Sequence, residues 1–180
     1  SLFGGIDAPD QEGHIISGKV VYDAFGRAVE SFYPTFTTTL NNSFSTLAST
    51  VNPTKTQYDA LGRATKTTLP DGSTTTTTFA IENFKGINAL QTTQTDPHGK
   101  VAKTYTDATG KNIATIQYDG GNELLTQFSY NALGETAAVI NTMGQTTLST
   151  YDWLGRRTQY IHPDAGTTTI TYDLAGNMTK

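Results

Sequence analysis

The sequence predicts an all-β fold made of consecutive antiparallel hairpins, and three observations support this prediction. Threonine, whose β-branched side chain favours strands over helices, occurs 35 times in 180 residues. A Tyr-Asp-x-x-Gly motif, with Asn in place of Asp in one copy, occurs five times. Short threonine-rich segments bounded by Gly, Asp and Pro separate the copies, which is typical of strands joined by turns.

The spacing of the motifs gives the length of the predicted strands. Gly134, Gly155 and Gly176 are each 21 residues apart, and a further turn sequence, NTMGQ (141–145) or HPDAG (162–166), lies between successive copies. Two turns per repeat leave two strands of about six or seven residues, roughly 20 Å each. The five copies are YDAFGR (22–27), YDALGR (58–63), YNALGE (130–135), YDWLGR (151–156) and YDLAGN (172–177).

Each residue of the motif has a physical role in a hairpin turn. Tyr is the last strand residue, and we expect its ring to stack on, or lie beside, the Tyr of the next unit. Asp or Asn begins a type I turn because its side chain accepts hydrogen bonds from the backbone two residues further on. Gly takes the left-handed conformation without a Cβ penalty, and the Arg after it can reach back to the turn Asp. The predicted structural turn residues are Tyr22, Asp23, Gly26, Arg27, Tyr58, Asp59, Gly62, Arg63, Tyr130, Asn131, Gly134, Tyr151, Asp152, Gly155, Arg156, Tyr172, Asp173 and Gly176.

The segments around these turns are predicted strands. SGKVVYDAFGR, TTLSTYDWLGR and TTTITYDLAGN are short, β-branched and bounded by turns. GSTTTTTF (72–79) is also typical of low-complexity disorder, but the Pro70-Asp71-Gly72 turn before it and Phe79 at its end favour a strand. Because threonine falls on both faces, at least one side of the sheet is expected to be a polar surface lined with hydroxyl groups.

Two stretches break the period and are expected to be irregular insertions, near 28–57 and 79–95. For the first, an extended hairpin and a longer loop at the edge of the repeats are both open. No segment combines ten residues of a 3.6-residue period with helix caps, so no helix is predicted, and residues 41–50 are the one stretch that could form a short one. The chain begins and ends in mid-pattern. Residues 1–180 are therefore interpreted as a single repeat module that is a fragment of a longer protein.

Composition excludes several classes of function. A net charge of -4 and a pI near 5.2 argue against nucleic-acid binding, which needs clustered Lys and Arg. The absence of cysteine removes thiol nucleophiles and Cys-ligated zinc. No stretch approaches 18 apolar residues, so no membrane span is predicted.

Candidate catalytic residues have simpler explanations. His14, His98 and His162 lack metal-ligand spacing, and the carboxylates of the repeats are accounted for by their turns. A pair of catalytic carboxylates would have to face each other across a pocket, whereas repeat geometry places them along one edge. We therefore expect no enzymatic activity, no metal and no cofactor.

Five copies of Tyr-Asp-x-x-Gly in one short chain resemble the YD repeat, also called the Rhs repeat. The resemblance is strong over 16–27, 56–79 and 126–180 and weak over 80–125. The YD-repeat family includes bacterial Rhs proteins and the B and C components of insecticidal toxin complexes. In that family the repeats form a curved sheet that spirals into a hollow shell around a toxin polypeptide. The resemblance thus implies a secreted or cell-surface bacterial protein whose partners are neighbouring repeats and an enclosed toxin.

Two alternatives remain open beside the shell. The repeat tyrosines and Trp153 form a possible carbohydrate-binding ladder, with Trp153 as the best candidate for a ligand contact. The resemblance also implies a self-cleaving segment near an Asp-Pro-x-Gly-Leu motif. Asp96-Pro97-His98-Gly99 matches it in part, but Lys100 replaces the Leu, and we interpret this segment as another repeat turn.

Overall fold

The computed structural model describes residues 14–16, 18–37 and 52–179. Within these ranges the chain forms strands and turns and no helix, which confirms the predicted all-β class. Residues 38–51 of the predicted insertion near 28–57 lie outside the described residues. The strands are β1 (His14–Ile16), β2 (Val20–Tyr22), β3 (Ala28–Ser31), β4 (Thr35–Thr37), β5 (Thr54–Tyr58), β6 (Ala64–Thr68), β7 (Thr74–Phe84), β8 (Ile87–Thr95), β9 (Val101–Thr106), β10 (Asn112–Asp119), β11 (Asn122–Tyr130), β12 (Thr136–Ile140), β13 (Thr146–Tyr151), β14 (Arg157–His162) and β15 (Gly166–Thr169).

Thirteen of these strands follow one another in a single antiparallel sheet. The hydrogen-bonded order runs from β2 and β3 through β5 to β15 without a crossover, and β1 pairs with β4 in a separate two-stranded sheet. Each strand therefore pairs with the strand before and after it, as expected for consecutive hairpins. The threonine-rich segment 72–79, for which disorder was the alternative, supplies the beginning of β7.

The chain divides into two compact units, Ser1–Thr76 and Thr77–Lys180. In the first unit, β2 and β3 form one hairpin and β5 and β6 form another. Direct pairing of Glu30 with Lys55 joins the two hairpins, and the same two side chains form an ion pair of 3.2 Å.

The second unit contains the buried core, on one face of β8, β9 and β10. Gln91 of β8 lies opposite Tyr105 of β9, and Tyr105 lies opposite Ala114 of β10, so these side chains share a face. The Nε2 of Gln91 donates to the Tyr105 hydroxyl at 2.8 Å and to Glu82 at 2.6 Å, which satisfies a polar side chain only 7% exposed. The apolar part of the core is Ala89, Tyr105, Ile113, Ala114 and Ile116.

A long hairpin covers this core. Residues 79–95, which interrupt the sequence period, belong to β7 and β8, two long strands joined by a two-residue turn at Lys85 and Gly86. The tip of the hairpin reaches across the sheet. The Phe84 ring lies 4.6 Å from that of Tyr105, and the Lys85 ammonium donates to Gln127 on β11. The regular spacing of turn sequences is interrupted here because β7 and β8 are longer than the other strands. Their additional residues cover the core.

None of the described residues belongs to a helix with the length and apolarity that a bilayer crossing needs.

Candidate functional site

Nine hairpin turns share one backbone geometry. In the turn of the fourth motif, the Asp152 N–H donates to the Arg156 carbonyl at 2.9 Å, and the Gly155 N–H donates to the Asp152 carbonyl at 3.0 Å. This pair of hydrogen bonds is a type I turn followed by a left-handed residue. Among the described residues, it occurs in the turns that begin at Asp23, Asp59, Leu69, Asp96, Asp107, Asn131, Asn141, Asp152 and Asp173.

The first side chain of the motif holds its turn together. The Oδ1 of Asp152 accepts from the Leu154 N–H at 3.0 Å and from the Arg156 N–H at 2.9 Å. Asn131 Oδ1 accepts the same two bonds in its own turn, from Leu133 and Glu135. The glycine φ is positive in all five motifs, at Gly26 (77°), Gly62 (81°), Gly134 (90°), Gly155 (78°) and Gly176 (85°).

Arginine after the glycine closes the turn from the side, as the sequence predicts. The Nε and Nη2 of Arg156 both lie 2.7 Å from Asp152 Oδ2. Arg27 pairs with Asp23, and Arg63 with Asp59, at the same distances. The planar guanidinium thus makes a two-pronged contact with the carboxylate oxygen that the backbone leaves free.

These hydrogen bonds stabilise the charged form of the turn aspartates. The Arg27 N–H is the main cause that holds the pKa of Asp23 below its ordinary value of 3.8, and the Arg63 N–H does the same for the pKa of Asp59. Partial desolvation raises the pKa of Asp152, but hydrogen bonds from Arg156 and Leu154 outweigh it, and the net pKa is lowered. The side-chain hydrogen bond from Asn177 lowers the pKa of Asp173. The turns are thus built for ionised aspartate.

A tyrosine at the end of a motif's strand connects its turn to the preceding turn on the same edge of the sheet. The hydroxyl of Tyr151 donates to the Thr136 carbonyl at 2.9 Å, and Thr136 is the second residue after Gly134. Each of the other contacts also ends on the carbonyl two residues after the glycine of the preceding turn on the same edge. They are Tyr58 to Ala28, Tyr130 to Asn112 and Tyr172 to Arg157.

A cation, and not a second tyrosine, lies over most of these rings. The cation is the residue after the glycine of the preceding turn on the same edge. Arg27 lies 4.8 Å from the Tyr58 ring, Lys111 5.0 Å from the Tyr130 ring and Arg156 4.5 Å from the Tyr172 ring. No ring pair among the described residues joins two repeat tyrosines, so the predicted Tyr–Tyr stacking is replaced by cation–ring contacts.

We call the contact between a repeat tyrosine and the preceding turn on its edge a junction. Among the described junctions, the one at Tyr151 lacks the cation. Glu135 occupies the position that Arg or Lys holds elsewhere, and its Oε1 lies 2.6 Å from where a Cβ on Gly155 would be. Lys111 Nζ has the equivalent relation to Gly134, at 2.7 Å. A carboxylate therefore stands at the Tyr151 junction where the other junctions place a positive charge.

Trp153, the predicted ligand contact, is at the first tip position of its turn and is 84% exposed. Beside it lies an open cleft of about 930 Å³, which is also lined by Leu154, Tyr172, Asp173 and Leu174. The side chain is thus accessible, and the cleft combines apolar groups with one charge of each sign, since Arg156 lines it together with Asp173.

The Asp-Pro segment forms one of the nine turns. Asp96 Oδ1 accepts from the N–H groups of His98 and Lys100, at 2.9 and 2.8 Å. Asp96 and the following Lys100 help to line a cleft of about 460 Å³ with Gln117 and Asp119, two residues that the sequence did not single out. The described part of the chain contains no group of three or more His, Asp or Glu side chains placed to hold a metal ion.

Solved structures of Tc toxin components match this fold. A TcdB2–TccC3 crystal structure has a TM-score of 0.67 and 18% identity, and covers 92% of this chain and 9% of that chain. A TcdB2–TccC3–Cdc42 crystal structure has a TM-score of 0.63 and 16% identity with the same coverage. A Photorhabdus luminescens Tc holotoxin pore has a TM-score of 0.50 and 15% identity, and covers 92% of this chain and 10% of that chain.

No protein-family model and no curated protein sequence matches the chain. The chain spans about a tenth of the length of the toxin chains that it matches. Its strand order and turns nevertheless agree with the resemblance drawn from the Tyr-Asp repeats. The chain therefore has the fold of a part of the TcdB2–TccC3 toxin chains, as that resemblance predicted.

Proposed function

We propose that this chain is a non-catalytic wall segment of a hollow β-shell that encloses a toxin polypeptide. The observation that carries the proposal is the match to two TcdB2–TccC3 structures over 92% of this chain. The segment belongs to a longer bacterial protein that is secreted or displayed at the cell surface. Its partners are the neighbouring repeats of that protein and the enclosed polypeptide.

The turns support a role in shape. Their charged side chains are used inside the turn or against the next one, as Arg156 is used on Asp152 and Tyr172. This arrangement fixes the spacing of successive hairpins and leaves few groups free for chemistry. A wall needs a reproducible spacing more than it needs a reactive site.

The open face of the second unit supports contact with an unfolded polypeptide. Thr92, Thr104, Thr115 and Thr126 lie directly opposite one another on four adjacent strands, on the face away from the core. A row of hydroxyl and methyl groups without charge has little preference for a particular sequence, which suits a wall around a passive cargo.

Protease protection in the longer protein tests this proposal. The enclosed polypeptide should resist digestion in the intact protein and be digested quickly when expressed alone. Replacing Gly155 and Gly176 by Val opposes their positive φ and should open the wall, so that protection is lost. Equal digestion of the polypeptide with and without the wall would refute the proposal.

The absence of self-cleavage is part of the same proposal. Asp96 is occupied by two backbone donors, which is the arrangement of an ordinary turn aspartate. We expect mass spectrometry to find the chain intact after long incubation, with Asp96→Ala indistinguishable from the wild type. A fragment that appears only in the wild type would overturn this part.

Carbohydrate binding is a second candidate because Trp153 is exposed beside the ring of Tyr172 in one cleft. A glycan array followed by calorimetry tests it. Saturable binding that Trp153→Ala abolishes would support a glycan site, and a flat titration would remove this candidate.

A further inference from the structure

One edge of the second unit carries apolar side chains at the tips of its turns. We call residues 131–135, 152–156 and 173–177 the turn edge. Leu133 is 70% exposed, Trp153 84% and Leu154 54%, and Leu174 is fully exposed. A type I turn does not require apolar residues at its tip, since solvent-facing polar residues serve equally well there. Trp153, Leu154 and Leu174 line one cleft, so these exposed apolar groups are contiguous and indicate a contact surface.

The opposite edge lacks this character. Its turns present Pro97 and His98, the glycines 120 and 121, and Pro163, Asp164 and Ala165 at their tips. Met143, 79% exposed, is the large apolar side chain at a turn tip there among the described residues, and Tyr118 and Leu124, 36% and 43% exposed, lie on the strands that flank the 120–121 turn. The apolar tips thus belong to one edge of the unit.

The turn edge also has uncompensated negative charge. Asp152 is paired with Arg156, but Glu135 faces the neutral Asn131, and Asp173 faces the neutral Asn177. The preceding turn on this edge carries one charge of each sign, Asp107 and Lys111. Arg157, just outside the turn edge, keeps its positive charge and lies over the Tyr160 ring. The turn edge itself has three carboxylates and one guanidinium, so its charge is negative, and both Asp173 and Arg156 line the same cleft as Trp153.

The spacing of the tips selects the conformation of a matching ligand. Successive turns on one edge are two strands apart, or about 9.5 Å. A polyproline II segment advances about 9.3 Å in three residues, so every third side chain faces the same way. Such a segment would place one apolar side chain at each successive tip without bending. Proline-rich segments are commonly bound on exposed aromatic rings, and Trp153 supplies one at the centre of the edge.

We propose that the turn edge binds an extended, basic, proline-rich peptide segment with an apolar residue at every third position. Apolar residues of the peptide rest against Leu133, Trp153 and Leu174, and its Lys or Arg side chains lie near Glu135 and Asp173. Charge complementarity favours a positively charged peptide, because the carboxylates of Glu135 and Asp173 would repel an acidic segment.

Titration of this chain with a fluorescent (Leu-Pro-Lys)4 peptide tests the proposal. We expect saturable binding that weakens with salt, and about tenfold weaker binding by Trp153→Ala. Combining Glu135→Gln with Asp173→Asn should weaken binding several-fold at low salt and remove most of the salt dependence. Both replacements preserve the turns, since Asn141 and Gln145 already form the neutral equivalent.

Matched controls separate this site from general stickiness. Met143→Ala, on the opposite edge, should leave binding unchanged, and a (Leu-Pro-Glu)4 peptide should not bind. The proposal is overturned if the basic peptide does not saturate, if the acidic peptide binds equally well, or if Met143→Ala weakens binding as much as Trp153→Ala. A chain dimer dissolved by Trp153→Ala, or glycan binding in place of peptide binding, would likewise overturn it by giving the edge another occupant.

Discussion

At the scale of single residues, the turn glycines are set by backbone conformation. Gly155 has a φ of 78°, a region in which a residue with a Cβ is strained. Gly155→Ala should lower the free energy of unfolding by about 1–2 kcal/mol. The new Cβ would also meet the Glu135 carboxylate at 2.6 Å, but that group is the end of a flexible side chain and can move.

Urea unfolding measures this loss of stability, and Gly144→Ala is the matched comparison. Gly144 has nearly the same φ, 77°, and nothing lies within 4 Å of its missing Cβ. The two variants should lose similar stability, with a small excess for Gly155→Ala from the displaced Glu135. If both were as stable as the wild type, the left-handed turn position would not be required.

The tyrosine hydroxyls give a second prediction at this scale. Tyr151→Phe removes the hydrogen bond to the Thr136 carbonyl and should cost about 1 kcal/mol of stability. Tyr118 makes no hydroxyl hydrogen bond within the described part of the chain and is 36% exposed, so Tyr118→Phe should be close to neutral. Chemical denaturation of both variants checks the difference, and an equal loss in the two would contradict the role of the junction.

At the scale of elements, the hydrogen bonds within a turn could be predicted from the sequence, whereas the contact between a repeat tyrosine and the preceding turn on its edge could not. Asp152 and Gly155 act on atoms within four residues, so their chemistry is visible in the motif itself. The carbonyl that receives the Tyr151 hydroxyl lies fifteen residues away, and no local pattern identifies it. The hairpin tip was missed for the same reason, because Lys85 and Gln127 are 42 residues apart.

The Glu135 junction supplies a prediction at this scale. A carboxylate stands there in the position from which Lys111 contacts the Tyr130 ring, and the negative face of an aromatic ring favours cations. Replacing Asn131 by Asp and Glu135 by Arg together converts this turn into the pattern of residues 152–156. The double variant should gain about 0.5–1 kcal/mol from the restored cation–ring contact.

The equivalent change on the other edge isolates that contact. Replacing Asn141 by Asp and Gln145 by Arg also creates an Asp–Arg turn, but Gln145 has no repeat tyrosine beside it in the described structure. The melting temperature should rise more for the double variant at 131 and 135 than for the double variant at 141 and 145. An equal rise in melting temperature would mean that the Asp–Arg ion pair inside the turn, and not the cation–ring contact with Tyr151, causes the stabilisation.

At the scale of the whole molecule, the turn aspartates together set the response to acid. Six of them have a pKa lowered from 3.8 in the folded chain, through hydrogen bonds from their own turns. A lowered pKa means that the unfolded chain binds protons first as the pH falls. The stabilisation is complete above pH 3.8 and is lost as the pH falls through the lower folded values. The melting temperature should therefore show little effect of these groups from pH 8 to 5 and drop below about pH 4.

Asp173→Asn tests the origin of this drop, because Asn131 shows that an amide can accept the same backbone hydrogen bonds as the carboxylate. The variant should fold at neutral pH and lose less stability than the wild type between pH 4 and pH 2, as one linked proton has been removed. Asp164→Asn, at an exposed turn position outside the hydrogen-bonded repeat turns, is the comparison, and Asp173→Asn should lose less stability in acid than this variant does. If the two variants respond alike, the acid sensitivity does not arise in the repeat turns, and the repeated carboxylate would have to be explained by something other than the stability of the sheet.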